Sequence, residues 1–229
     1  IFVTVMSLAV GSFAIVATIP LERPDALRAA FVLMLAASVF DFLDGFVARL
    51  TGQYSKLGVQ LDSLADMVSF GLLPAVIALQ VYYAVGGNGW WGAVTLLVVL
   101  FSALRLGKFN IDETQRTEFE GLPTPANALL IGSAGWFVSM YAPVVMPSWA
   151  PWLVLGCCVV LSWLLISPIR MFALKFQGFG FAANAKRYIF LAAALVFVIV
   201  FGMTGIGLAI ILYILSSVIL YIACPSKRG

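Results

Sequence analysis

Four aspartates, Asp41, Asp44, Asp62 and Asp66, fall within 26 residues of strongly apolar sequence, and the whole 229-residue chain has only ten acidic residues. On a helix, Asp41, Asp44, Gly45 and Ala48 fall at i, i+3, i+4 and i+7 and share one stripe. Gly58, Asp62 and Asp66 form a second stripe, which Ser69 continues. The connection from Leu50 to Leu57 is short, which predicts antiparallel neighbours with facing stripes. Four carboxylates facing one another in a dry site would repel, and each buried charge carries a large desolvation cost. Such a set must either hold protons or enclose cations. Hard divalent cations take carboxylate oxygens. Two of them about 3.5–4 Å apart form a clamp for phosphoryl displacement. Gly45, Ala48 and Gly58 leave room for a flat polar ligand to approach the backbone, and Arg49 offers a bidentate contact to a phosphate. A lone aspartate near a helix end is often a cap or a snorkelling surface charge. Four at these spacings within apolar helices read as functional.

The elements that carry these stripes are membrane helices by composition. Hydrophobic residues make up 63% of the chain and charged residues 10%, with a mean hydropathy of +1.08. A soluble domain averages about 45–50% apolar and about 25% charged residues. A spanning helix needs about 20 mostly apolar residues. Eight segments qualify as candidates, at 2–19, 29–50, 58–84, 90–106, 124–142, 151–167, 188–203 and 206–222. The last two flank Gly202-Met-Thr-Gly205-Ile-Gly207, so one bent helix is the alternative. With eight spans, eleven basic residues fall on one side and only Arg23 and Arg28 on the other. The positive-inside rule then puts both termini and the basic loops in the cytoplasm. The carboxylates lie near that face. The expectation is one transmembrane catalytic domain over 1–229, with its signature at 41–66. The first apolar run lacks a basic leader and a cleavage-like site, so it reads as a span and not as a secretory signal. The start at Ile1 without Met leads us to expect native residues before it.

Several chemistries are excluded. There is no His, which removes Ser-His-Asp triads and His-ligated zinc or haem. Cys157, Cys158 and Cys224 lack metal-ligand spacing. A net charge of +3 suggests no nucleic-acid partner.

Asp41-x-x-Asp44-Gly45-x-x-Ala48-Arg49, eight residues, then Gly58-x-x-x-Asp62-x-x-x-Asp66 resembles the signature of the CDP-alcohol phosphotransferase family, at all eight specified positions. The resemblance implies an all-α integral membrane enzyme with a six-helix core, here followed by two C-terminal helices. It implies transfer of a phosphate-bearing group from a CDP-linked donor to an alcohol, with release of CMP. It implies two divalent cations, Mg2+ or Mn2+, held by Asp41, Asp44, Asp62 and Asp66. The donor would lie against Asp44, Gly45, Ala48, Arg49, Gly58 and Asp62. Asp66 would be the general base on the acceptor hydroxyl, and the enzyme would be a homodimer. With no His present, a carboxylate beside the metals is the natural base.

Further along, Arg105-Leu-Gly-Lys108-Phe-Asn110 and Gly121-Leu-Pro123-Thr124-Pro125-Ala-Asn127 resemble the phosphatidylserine synthase branch, as do Leu61 to Asp66, Ser69-Phe-Gly71 and Met171-Phe-Ala-Leu-Lys175-Phe. One departure is Ser7, four residues before Gly11, where that branch often has Asn. The branch implies CDP-diacylglycerol as donor, L-serine as acceptor and membrane lipids as surroundings. Serine is a zwitterion, so Arg105 is the candidate for its carboxylate, with Lys108 and Asn110 as further acceptor-side groups. Arg105 and Lys108 also read as topology anchors. Lys175, Lys186 and Arg187 could receive anionic headgroups or act only as topology determinants.

Three rivals stand beside this reading. Another branch of the family would make phosphatidylglycerophosphate, phosphatidylinositol phosphate or phosphatidylcholine, but no dense basic cluster or aromatic cage is evident. A membrane prenyltransferase would not need the Gly45, Ala48, Arg49 and Gly58 framework. A cation-coupled transporter would favour inverted repeats, which the chain lacks.

Overall fold

The computed structural model describes residues 2–18, 24–51, 56–111, 121–141, 146–169, 171 and 181–223. Among them the fold is all helical. It comprises α1 (Phe2–Thr18), α2 (Pro24–Thr51), α3 (Lys56–Asp66), α4 (Leu73–Ala84), α5 (Leu97–Ile111), α6 (Thr124–Tyr141), α7 (Ala150–Ile166), α8 (Phe181–Phe201) and α9 (Met203–Ala223). A π-helical segment, Met67–Leu72, joins α3 to α4, and a 3-10 segment, Gly89–Leu96, leads into α5. These elements make eight helical rods in the described residues, at the places where the apolar segments were expected. Four stretches are long and apolar enough to cross a membrane: Asp25–Val47, Gln60–Ala84, Gly89–Asn110 and Met203–Ala223. Val3–Thr18, Ala150–Ile166 and Arg187–Phe201 are shorter apolar helices.

The C-terminal region is two helices and not one bent one. Gly202 breaks it with φ +58°, a conformation that costs glycine little. Chain direction then reverses, because the rings of Phe190 and Tyr213 meet with centroids 5.9 Å apart and α8 packs along α9. At the far end of the bundle the Trp91 and Trp152 rings meet edge to face at 5.6 Å. There the start of α2 is tied to the end of α6 by Arg28, whose Nε donates to Ser139 Oγ at 3.2 Å. Exposed Trp90, Trp91, Trp149 and Trp152 gather at this end, as amphipathic rings do at a membrane interface. The carboxylates lie at the other end.

The core forms where small residues let the rods approach. Phe31 and Met34 of α2 pack with Phe70, Leu73 and Ile77 in one buried cluster. Gly132 of α6 lies flat against Phe31, so that a β-carbon there would fall 2.8 Å from Phe31 Cε2. Close approach of this kind is how membrane helices gain packing contacts without a hydrophobic drive. Gly132→Val is therefore expected to overpack the core and cost about 1–3 kcal/mol. A lower thermal midpoint of the detergent-purified protein would register that cost, and an unchanged midpoint would contradict the assigned packing.

The site depends on how α2 meets the α3–α4 rod. The two were expected to face each other as simple antiparallel neighbours. Instead, α2 packs against this rod at the π segment and α4, while α1 packs on both α2 and α3. The two stripes therefore come together at Asp66, just before the π segment, and open from one another toward Gly58 and Ala48.

Candidate active site

The carboxylates follow this geometry. Asp41 and Asp66 share a side-chain hydrogen bond where the two helices converge. Asp62 lies one turn before Asp66 and within electrostatic range of both Asp41 and Asp44. Asp44 accepts a hydrogen bond from Thr4 Oγ1 of α1, and Thr4 is itself buried. Thus the helix packed on both α2 and α3 also holds one of the acidic groups. All four carboxylates are half-buried, as are Gly45 and Gly58 beside them. Ala48 and Arg49 continue the stripe on the α2 backbone, but their side chains lie outside the described residues. Lys175 also lies outside them, as does the side chain of Lys186.

Arg105 reaches this cluster from α5. It lies within electrostatic range of Asp66 and of the Tyr213 hydroxyl on α9. Its Nη1 donates to Thr124 Oγ1 at 3.3 Å, while its Nε is buried with no partner in the protein. Thr124 is held in place by the turn before α6. There Gly121 adopts φ +76°, its N–H donates to the Ile169 carbonyl at 3.0 Å, and Leu122 N–H donates to the Leu164 carbonyl at 2.9 Å. Gly121→Ala is expected to strain this turn, because both the positive φ and the adjacent Leu165 carbonyl oppose a side chain. Loss of the Arg105–Thr124 register should then appear as weaker acceptor binding, read from the acceptor KM.

The two further residues expected on the acceptor side lie near the end of α5. Lys108 and Asn110 are exposed at the end of α5, and Asn110 Nδ2 donates to Ser63 Oγ at 2.9 Å. Of the three, Arg105 alone is placed beside Asp66. Arg187 on α8 donates from Nη1 to Asn184 Oδ1 at 2.7 Å. Ser7 donates to the Ala37 carbonyl at 3.3 Å and so serves the α1–α2 contact.

Three polar residues of this region escaped the motif reading. Thr4 has a weak signal, since Thr4, Ser7 and Gly11 form a small stripe on α1. Tyr213 has none, because it lies about 150 residues from the signature. Asn127 stands inside a segment that was singled out, but nothing in its spacing separates it from a helix-packing residue.

The residues fit hard divalent cations in chemistry. The donors are all carboxylate oxygens, and Asp66 Oδ1 is buried with no hydrogen-bond partner. Among the described residues, no three acidic side chains are already drawn together as a metal cage.

Known proteins resemble the chain over about half of its length. The chain is 47% identical to the CDP-diacylglycerol–serine O-phosphatidyltransferase of Helicobacter pylori over 103 residues, which cover 43% of this chain and 42% of that protein. It is 40% identical over 123 residues to the enzyme of the same name from Saccharomyces cerevisiae, covering 49% of this chain and 43% of that protein. It is 38% identical over 135 residues to the archaetidylserine synthase of Methanothermobacter thermautotrophicus, covering 56% and 57%. The chain thus spans about half the length of these curated relatives. The description CDP-alcohol phosphatidyltransferase matches residues 1–164, which contain six of the rods and leave α8 and α9 outside. With the match covering well over half of the sequence and including every residue of the carboxylate signature, the chain belongs to the CDP-alcohol phosphatidyltransferase family.

Proposed function

We propose that the chain transfers a phosphatidyl group from CDP-diacylglycerol to the hydroxyl of L-serine, giving phosphatidylserine and CMP. One observation carries the mechanism. Asp66 sits between Asp41 and Arg105 with its buried Oδ1 unpartnered, so a proton acceptor and a carboxylate-binding cation stand side by side. The serine acceptor is supported by the names of the three relatives, each of which makes a serine-bearing lipid.

In this reading Arg105 takes the serine carboxylate and turns the hydroxyl toward Asp66. Asp66 Oδ1 accepts the hydroxyl proton as the oxygen attacks the β-phosphorus of the donor. The bond from that phosphorus to the CMP oxygen breaks, and CMP leaves with the bonding electron pair. Asp44, Gly45, Ala48, Arg49, Gly58 and Asp62 would receive the CDP group. Asp41, Asp44, Asp62 and Asp66 would hold two divalent cations, Mg2+ or Mn2+, which when bound neutralise the diphosphate and the departing phosphate. Thr4 holds Asp44 by its hydrogen bond.

The whole chain would form one catalytic domain with eight spans, both termini and the site facing the cytoplasm. The placement of eleven basic residues on one side supports that orientation. Family resemblance alone supports a homodimer.

Purified protein given CDP-diacylglycerol, a divalent cation and one acceptor at a time should release CMP with serine and not with glycerol 3-phosphate, inositol phosphate or choline. CMP release with a different acceptor, or with none, would overturn the assignment. Repeating the serine arm with an ether-linked donor reads the lipid backbone. Chelation with EDTA is expected to stop CMP release, and added Mg2+ or Mn2+ to restore it. Full activity in EDTA would remove the metals from the proposal.

A further inference from the structure

Buried polar groups without partners are uncommon in folded proteins, and each calls for an explanation. Asn127 is the sharpest case here. It is 0% exposed, and neither its Oδ1 nor its Nδ2 has a hydrogen-bond partner in the protein. A carboxamide enclosed in this way can still donate and accept. Asn127 lies one turn after Thr124 on α6, and Thr124 accepts from Arg105. One turn before Arg105 on α5, Ser102 is also buried with its hydroxyl unpartnered, as is Arg105 Nε. Helix α5 runs toward the carboxylate end and α6 runs away from it. Ser102 and Asn127 therefore lie at similar depth, just inside the Arg105–Thr124 link. The π segment that follows Asp66 packs against both helices. Helix α9 also packs on α6, and its Tyr213 packs against the buried cluster of Leu122, Leu164 and Met171. The unsatisfied groups thus lie one turn inside the Arg105–Thr124 bond on two helices, and the π segment that packs on both leads back to Asp66.

We propose that Asn127 is a specificity-determining residue of the acceptor site, where its Oδ1 accepts from the ammonium of a zwitterionic alcohol whose carboxylate lies on Arg105. This inference rests on the serine reading above. The chemistry favours an amide at this position. A fifth carboxylate would bind an ammonium, but it would add negative charge beside four aspartates that already repel. A neutral amide oxygen binds the ammonium without that cost. It also leaves Asp66 Oδ1 free for the hydroxyl proton. Ser102 then supplies a hydroxyl to the carboxylate side, and Tyr213 stands within range of Arg105 from a helix beyond the family match.

The test uses the full chain and three acceptors: serine, ethanolamine, which lacks the carboxylate, and 3-hydroxypropionate, which lacks the ammonium. CMP release is measured for the unmodified protein, Asn127→Leu and Asn127→Ser, with acceptor and donor varied separately. Asn127→Leu is expected to raise the serine KM by a factor of about ten or more, with the donor KM nearly unchanged. Its preference for serine over 3-hydroxypropionate should fall, while its preference for serine over ethanolamine stays. Asn127→Ser, a smaller polar change that preserves the fold if the leucine variant does not accumulate, should move the same ratio in the same direction. An unchanged serine KM and an unchanged ratio in a folded variant would overturn the role of Asn127 and leave a packing residue or a water site. Failure of the unmodified protein to use serine is a separate result, seen without any substitution, and it would overturn the functional reading itself.

Discussion

Asp66→Asn is expected to abolish CMP release while leaving the protein folded and able to bind its donor. The amide is nearly the same size as the carboxyl and can still donate to Asp41, so the bond that joins the two helices at the site survives. What it cannot do is accept the acceptor's proton. A positioned base contributes about 10²- to 10⁴-fold to a rate. The loss should therefore fall in kcat, by about two to four orders of magnitude under that contribution. The measurement is CMP release at saturating serine and donor, paired with donor binding followed in Mg2+. Donor binding should weaken and persist, because Asp41, Asp44 and Asp62 remain. A kcat within a fewfold of the unmodified protein would assign the base elsewhere, and the absence of His leaves few other residues able to serve.

Arg105→Met should act on the other substrate. The guanidinium is placed beside Asp66 by its bond to Thr124, and it is the one acceptor-side cation positioned so deeply among the described residues. A hydrogen bond to a charged group contributes about 1.5–3 kcal/mol, or roughly 10- to 150-fold in an equilibrium constant. The serine KM should rise by about that factor, with the donor KM nearly constant. Arg105→Lys keeps the charge and loses the planar fork, so it should fall between the two. Equal rises in both KM values would show Arg105 serving the donor or the fold. Removing the cation also leaves Asp66 among three other carboxylates with less compensation, so kcat should fall together with serine affinity.

Both expectations depend on features of different visibility. The aspartates, their glycine neighbours and the membrane class are legible in the primary structure, because helical periodicity is local and four acids in an apolar stretch have few uses. The same holds for Arg105, which stands in a segment resembling one branch of the family. The relation between α2 and α3 is different. Short connection length predicts adjacent antiparallel helices, but the π segment and the wedge of α1 set where they converge. Lys108 and Asn110 show the limit at the scale of one turn. They share Arg105's segment, yet both are exposed, whereas Arg105 is half-buried within electrostatic range of Asp66.

Composition and spacing established an oily, helical chain with a carboxylate site and an expected phosphate-transfer chemistry. Those properties follow from hydrophobicity, charge cost and 3.6-residue periodicity, all of which act over short distances along the chain. Folding in three dimensions assigned Thr4 to Asp44, brought Tyr213 of α9 to Arg105 and left Asn127 enclosed without a partner. Each of those results joins residues from separate helices. They depend on how rods pack through Gly132, Gly121 and the π segment, and no periodicity within one helix specifies the neighbour it will meet.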